Sequence, residues 1–225
     1  MKAEQLIGIT IPVIYCLLVM FETKHSARKF TPVKRWRTKG VIFLLMILLV
    51  GTVVPFLLPL QWLKQNAILN LSDLGLLGIP AGLLLTTFFS YWFHRAEHRF
   101  NWLWRATHRL HHSAVRIDIS GAFYTSPIEV VAKVSIATLV NFYVLGLSPL
   151  AAASAGVIGA MLSMFQHWNI NTPHWLGYLI PRPESHLLHH AKNIKTLNYG
   201  DLPLWDMIFG TFENPREIWA GEVGV

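Results

Sequence analysis

Four long stretches of the chain carry no charged residue: 5–21, 40–63, 74–93 and 134–166. A helix needs roughly 20 apolar residues to cross a hydrocarbon core of about 30 Å, and the second and third stretches meet that length. The first is slightly short, as for a barely tilted span or a partly interfacial helix. The fourth is too long for one crossing. Gly146-Leu147-Ser148-Pro149 near its middle is a turn signal, which predicts a helical hairpin over about 130–166. The pattern predicts an all-α integral membrane protein with four to five transmembrane helices, folded as a single membrane domain over 1–225, with helices 1–3 within residues 1–90. Residues 94–126 are polar and aromatic and read as largely helical up to Ser126-Pro127. Beyond 167, Pro173, Pro181, Pro183, Pro203 and Pro215 break the chain into short helices and loops. No internal repeat of 20–50 residues and no low-complexity linker is visible.

Composition agrees with this pattern. Apolar residues make up 53% and charged residues 14%, against about 25% charged in a soluble domain. A disordered chain is excluded and an ordinary soluble globule disfavoured. The net charge of +7 is concentrated: Lys24, Arg28, Lys29, Lys34, Arg35, Arg37 and Lys39 crowd the first connection, whereas the second holds only Lys64 and Asp73. The positive-inside rule puts the first connection in the cytoplasm, the N-terminus outside, and the region near His94 in the cytoplasm. Beside a span, such a cluster reads as a topology signal and a contact for anionic headgroups, rather than as a nucleic-acid site. The basic flank and the lack of a small-residue cleavage site argue against a secretory signal.

Eleven histidines are many for so apolar a chain. The single Cys16 lies in an apolar run, so neither a disulfide framework nor a thiolate metal site is available. His94-x3-His98 puts two imidazoles one helical turn apart on one face. His108-x2-His111-His112 and His186-x2-His189-His190 share a second spacing, and His167 stands where the hairpin returns. A lone pair at i, i+4 arises often by chance. Two copies of HxxHH with HxxxH on one membrane face point to a metal site held by imidazole, which suits zinc, copper, iron and nickel. Nine candidates exceed one four-ligand site and suit two metals with open positions. Glu97 is expected to face away from its flanking histidines and either to orient a ligating imidazole or to pair with Arg95 or Arg99. Asp201 and Asp206 are candidates to orient ligating imidazoles. His174 reads as a surface or packing residue and His25 as solvated. Trp92, Phe93, Trp102, Trp104, Trp168 and Trp175 read mostly as an interfacial aromatic belt.

The ordered set His94-x3-His98, His108-x2-His111-His112, His167-x-Asn169 and His186-x2-His189-His190, with the tail "NYGDLPLWDMIFGTF", resembles the fatty acid hydroxylase / sterol desaturase superfamily. The resemblance runs from about Tyr91 to Phe212 and marks 91–215 as the catalytic region. It implies an oxidoreductase with a histidine-bound di-iron centre and O2 as co-substrate, acting on a membrane lipid by hydroxylation, desaturation or ether oxidation. The metal ligands it implies are His94, His98, His108, His111, His112, His167, His186, His189 and His190. Electrons would come from a separate cytoplasmic donor of the cytochrome b5, ferredoxin or flavoprotein kind; Arg95, Arg99, Arg105 and Arg109 read equally as a face that steers such a carrier and as contacts for lipid headgroups. The compact chain suggests a bacterial inner membrane. The alternative is a non-redox, histidine-rich metal-binding or transport protein, which would put its ligands near the bilayer midplane. A bis-histidine haem protein would need facing histidines on separate helices, and a non-catalytic lipid-binding relative would not need the full ligand set.

Overall fold

The computed structural model describes residues 7–194 and 196–225. The expected start of the first stretch, and the outside location of the N-terminus, fall within residues 1–6, beyond the described residues. Among those described the fold is all-helical, apart from one isolated bridge between Ala191 and Val223. Helix α1 (Thr10–His25) is followed by α2 (Trp36–Leu57), a short α3 (Leu60–Gln65) and a 3-10 stretch, Ser72–Gly78, that leads into α4 (Ile79–Arg99). Next come α5 (101–112), α6 (Pro127–Thr138) with a π-helical extension Leu139–Val144, and α7 (Pro149–His167). Two short helices, α8 (Pro183–His189) and α9 (Pro203–Phe209), close the order.

Among the described residues, four helical segments are long and apolar enough to span a membrane: Trp36–Leu57, Ser72–Arg99, Pro127–Val144 and Pro149–His167. Helix α1, with 16 residues, is not among them. The spans leave large side chains facing outward, with Phe56 and Leu77 each 80% exposed. Such a surface is at home only in lipid, and a helix satisfies its own backbone there.

The hairpin forms as its sequence predicts. Ser126 and Ser148 cap α6 and α7, accepting from the Ile128 and Ala151 amides (3.3 Å each) ahead of Pro at the first helical position. The turn needs Gly146: its φ is +59°, and a Cβ there would lie 2.3 Å from the Leu69 carbonyl. The loop after α3 donates from Ile68, Leu69 and Leu71 to the carbonyls of Tyr143, Val144 and Leu145 (2.8–3.0 Å). It thereby satisfies acceptors left over at the helix end. Two helices outrun the uncharged stretches that announce them. α4 continues past Phe93 to Arg99, and α6 begins at Pro127, so His94, Glu97, His98, Glu129 and Lys133 sit on the span ends.

Candidate metal centre

Four structural units supply the histidines. The last two turns of α4 present His94 and His98, and α5 presents His108, His111 and His112. A π-helical turn over Trp104–His108 widens α5 just ahead of its box, a local feature common at functional sites. His167 ends α7, and α8 with the residue after it presents His186, His189 and His190. The nine converge in two groups. His94, His98, His108, His112 and His189 form one; His111, His167, His186 and His190 form the other; within each, the ligand nitrogens lie within 4.8 Å of one another. The His112 and His190 rings stack at 4.2 Å and join the groups. His25 is exposed against Phe21, and His174 meets the Asn214 carbonyl at 3.1 Å, outside both groups.

The hydrogen bonds fix which nitrogen is bare. His94 Nδ1 donates to the Tyr199 carbonyl (2.7 Å), His189 Nδ1 to Leu197 (2.7 Å), His111 Nδ1 to Tyr124 (3.2 Å) and His167 Nδ1 to Ser163 (2.7 Å). His108 Nδ1 donates to Glu129 Oε1 at 3.1 Å. In a neutral imidazole the other nitrogen then has only a lone pair to offer. Yet His94 and His108 Nε2 lie 2.8 Å apart, and His111 and His167 Nε2 3.4 Å apart. Further Nε2 pairs, His112 with His189 and His186 with His167 and His190, stand at 3.1 Å. Protonation cannot relieve the crowding. Burial, with neighbouring imidazoles, pushes His108, His112, His186 and His190 well below the usual histidine range; burial also lowers His111, and His189 to about 4. Lone pairs aimed at one another in a dry site are stabilised by a cation between them, so the residues present fit a metal at each group.

Of its two expected roles, Glu97 takes the one beside an imidazole of the cluster. It is fully buried, 3.6 Å from His108 Nδ1, and pairs with neither arginine. Arg95 instead donates to the Tyr91 hydroxyl (3.1 Å) and lies over the Trp92 ring. The sequence reading missed Glu129 and Lys133. Glu129 bridges His108, the Thr125 hydroxyl and Lys133 (2.7 Å). Its signal was a Glu-x3-Lys pair at the start of an apolar helix, which is costly there unless partnered. Asn169 clamps the first connection, accepting from the Arg28 amide (2.9 Å) and donating to its carbonyl (2.6 Å). Trp102 and Trp175 are exposed as belt residues, whereas Trp104 packs on His98 and His112.

Asp206 acts at one remove. It accepts from the Tyr199 and Gly200 amides (2.8 Å each) and the Thr211 hydroxyl (2.7 Å), and so holds the carbonyl that orients His94. Burial raises its carboxyl to about 6 despite these donors. Asp201 faces Gln166 Nε2 at 3.4 Å. Asp206→Ala strands two buried amides and is expected to cost about 2–4 kcal/mol, read as a lowered unfolding midpoint in detergent.

A cavity of about 280 Å³ opens onto His94, His108, His111, His167 and His186 from among the spans.

The model of the family described as "Fatty acid hydroxylase" matches residues 79–211, which include all nine histidines. Among curated proteins, the ornithine lipid hydroxylase OlsE of Rhizobium tropici is 30% identical over 65% of this chain and 45% of its own length. The alkylglycerol monooxygenase of Homo sapiens is 35% identical over 56% of this chain and 28% of its own. The matched part of the chain thus spans less than half the length of these relatives. No solved structure matches.

Proposed function

The chain belongs to the fatty acid hydroxylase family, and we propose that it is an oxidoreductase that uses O2 and a histidine-held di-iron centre to oxidise a C–H bond of a membrane lipid. The observation that carries this reading is the convergence of nine imidazoles, eight of them buried, in two groups at the mouth of a cavity between membrane spans. The relatives are named for oxidation of ornithine lipids and alkylglycerols, which supports a lipid substrate here.

His94, His98, His108, His112 and His189 would hold one iron, and His111, His167, His186 and His190 the other. Bound iron would supply reductive activation of O2 and the power to take hydrogen from an unactivated carbon. For hydroxylation the C–H bond breaks and a C–O bond forms; one oxygen atom enters the lipid and the other leaves as water, consuming two electrons and two protons. The chain's own part is positional. Backbone carbonyls and Glu129 fix the imidazole tautomers, α4, α6 and α7 hold the lipid against the site, and the packed helices keep water out. The electrons come from a separate acidic redox protein, for which Arg99, Arg105 and Arg109 present exposed charge. The reading puts these arginines and the histidines on the cytoplasmic face, with the chain in a bacterial inner membrane.

The test is turnover under labelled O2. Detergent-purified protein, given iron, a reductant and total membrane lipid, is expected to yield a lipid with one labelled oxygen, and His189→Ala to yield none. Undiminished product from His189→Ala, or oxygen derived from water, would overturn the proposal.

A further inference from the structure

The cavity below the histidines has a measurable shape. Eleven residues separate Leu83 from His94 on α4, Val130 from Asn141 on α6 and its extension, and Gly156 from His167 on α7, and all six line it. At 1.5 Å rise per residue, each helix gives a depth of about 16 Å from the histidines to the far end. The cavity's volume of about 280 Å³ along that depth is room for an extended hydrocarbon chain.

The walls agree with that occupant. The wall on α7 is built from Gly156, Gly159 and Ala160, and a Cβ at either glycine would meet nothing within 4 Å. The bore is open where those side chains are missing. The lining ammonium, Lys133, is tied to Glu129 near the histidine end. At the far end lies Asn141, whose amide donates to Thr86 Oγ1 (3.2 Å) and the Ala137 carbonyl (2.7 Å). No charged side chain lines the deep half, so a charged headgroup has no partner there.

We infer that this slot takes one unbranched hydrocarbon tail, inserted away from the headgroup, and that Gly159 sets how much tail it accepts. The inference rests on the lipid-oxidation reading and gives it a substrate class: a single-chain segment oxidised near its headgroup, with the remainder of the tail in the slot. An extended chain advances about 1.25 Å per carbon, so about 13 carbons fit beyond the oxidised one. Gly159 lies eight residues from His167, about 12 Å down the slot. A large side chain there stops a tail after about nine or ten carbons.

The experiment compares wild type, Gly159→Ala and Gly159→Leu as iron-loaded full-length protein in nanodiscs. Each is offered single-tailed lipids of one headgroup with tails of about 10 or about 14 carbons, and cholesterol. Oxidised product is quantified, and tail-length preference in bound lipid is read separately by native mass spectrometry. Wild type is expected to favour the long tail and to leave the sterol untouched. Gly159→Leu is expected to shift the preference towards the short tail by about tenfold or more, with Gly159→Ala between them and bound metal unchanged in both. An unaltered tail-length preference in a metal-replete Gly159→Leu protein, or sterol oxidised as readily as the long tail, would overturn the inference. Length-selective binding without any oxidation by wild type would uphold the slot and count against the oxidase reading instead.

Discussion

His111→Ala is expected to cut bound metal from two equivalents per chain to about one and to abolish lipid oxidation. His111 Nε2 stands 3.1 Å from His190 Nε2 and 3.4 Å from His167 Nε2, the shared corner of the four-histidine group. Removing it leaves three imidazoles for that metal, while the five-histidine group stays intact. The metal-free protein should show no comparable loss. There His111 is one lone pair among several in a dry cluster, so its removal relieves repulsion, partly offset by the void left by a lost ring. Thermal unfolding of metal-free protein is therefore expected to be little changed. The rise in midpoint on adding iron should be markedly smaller than in wild type, because binding stabilises only the folded state that holds the site. Inductively coupled plasma analysis and melting with and without iron read the two effects. Two retained equivalents would show that His111 is not a ligand.

Much of the fold is legible in the sequence because the bilayer imposes few options. An uncharged run of sufficient length becomes a helix, and Gly146 with Ser148-Pro149 can only turn and restart one. The limits of the spans were less visible. His94, His98, Glu129 and Lys133 extend α4 and α6 beyond their uncharged stretches, because inward-facing polar groups with buried partners are tolerated where lipid-facing ones are not.

The set of histidines that cluster was legible, and its division follows from helix geometry once the elements are placed. In each HxxHH box the outer pair, His108 with His112 and His186 with His190, sits at i, i+4 on one face. The middle histidine of each points about a quarter-turn away. His111 therefore joins the pair on α8, and His189 joins the pair on α5, as the grouping records. Spacing alone did not reveal this exchange, because it depends on two helices facing each other. Which imidazole Glu97 faces was hidden for the same reason, since His108 comes from α5. Asp206 reaches the site only through the Tyr199 carbonyl, a tertiary route with no sequence periodicity.

The carboxylates around His108 lead to the second large effect. Four ligands donate Nδ1–H to neutral backbone carbonyls, whereas His108 donates to Glu129, with Glu97 3.6 Å away. A carboxylate acceptor makes an imidazole a stronger metal donor than a carbonyl does, and loss of such a partner costs about 10–100-fold in metal affinity. Glu129→Gln keeps an oxygen for His108 and the volume of the side chain but removes the charge. It is expected to weaken metal in the five-histidine group by that factor and to leave the four-histidine group nearly unaffected. Removal by a graded chelator should then separate into two phases, with one equivalent released early. Glu129→Ala should be worse, since Lys133 also loses its ion-pair partner at 2.7 Å. Combining Lys133→Met with Glu129→Ala should recover much of the fold stability but none of the metal affinity. Chelator release curves and unfolding midpoints for the three variants separate the two roles of Glu129. Uniform weakening of both equivalents in Glu129→Gln would show that its charge acts on the whole cluster rather than through His108.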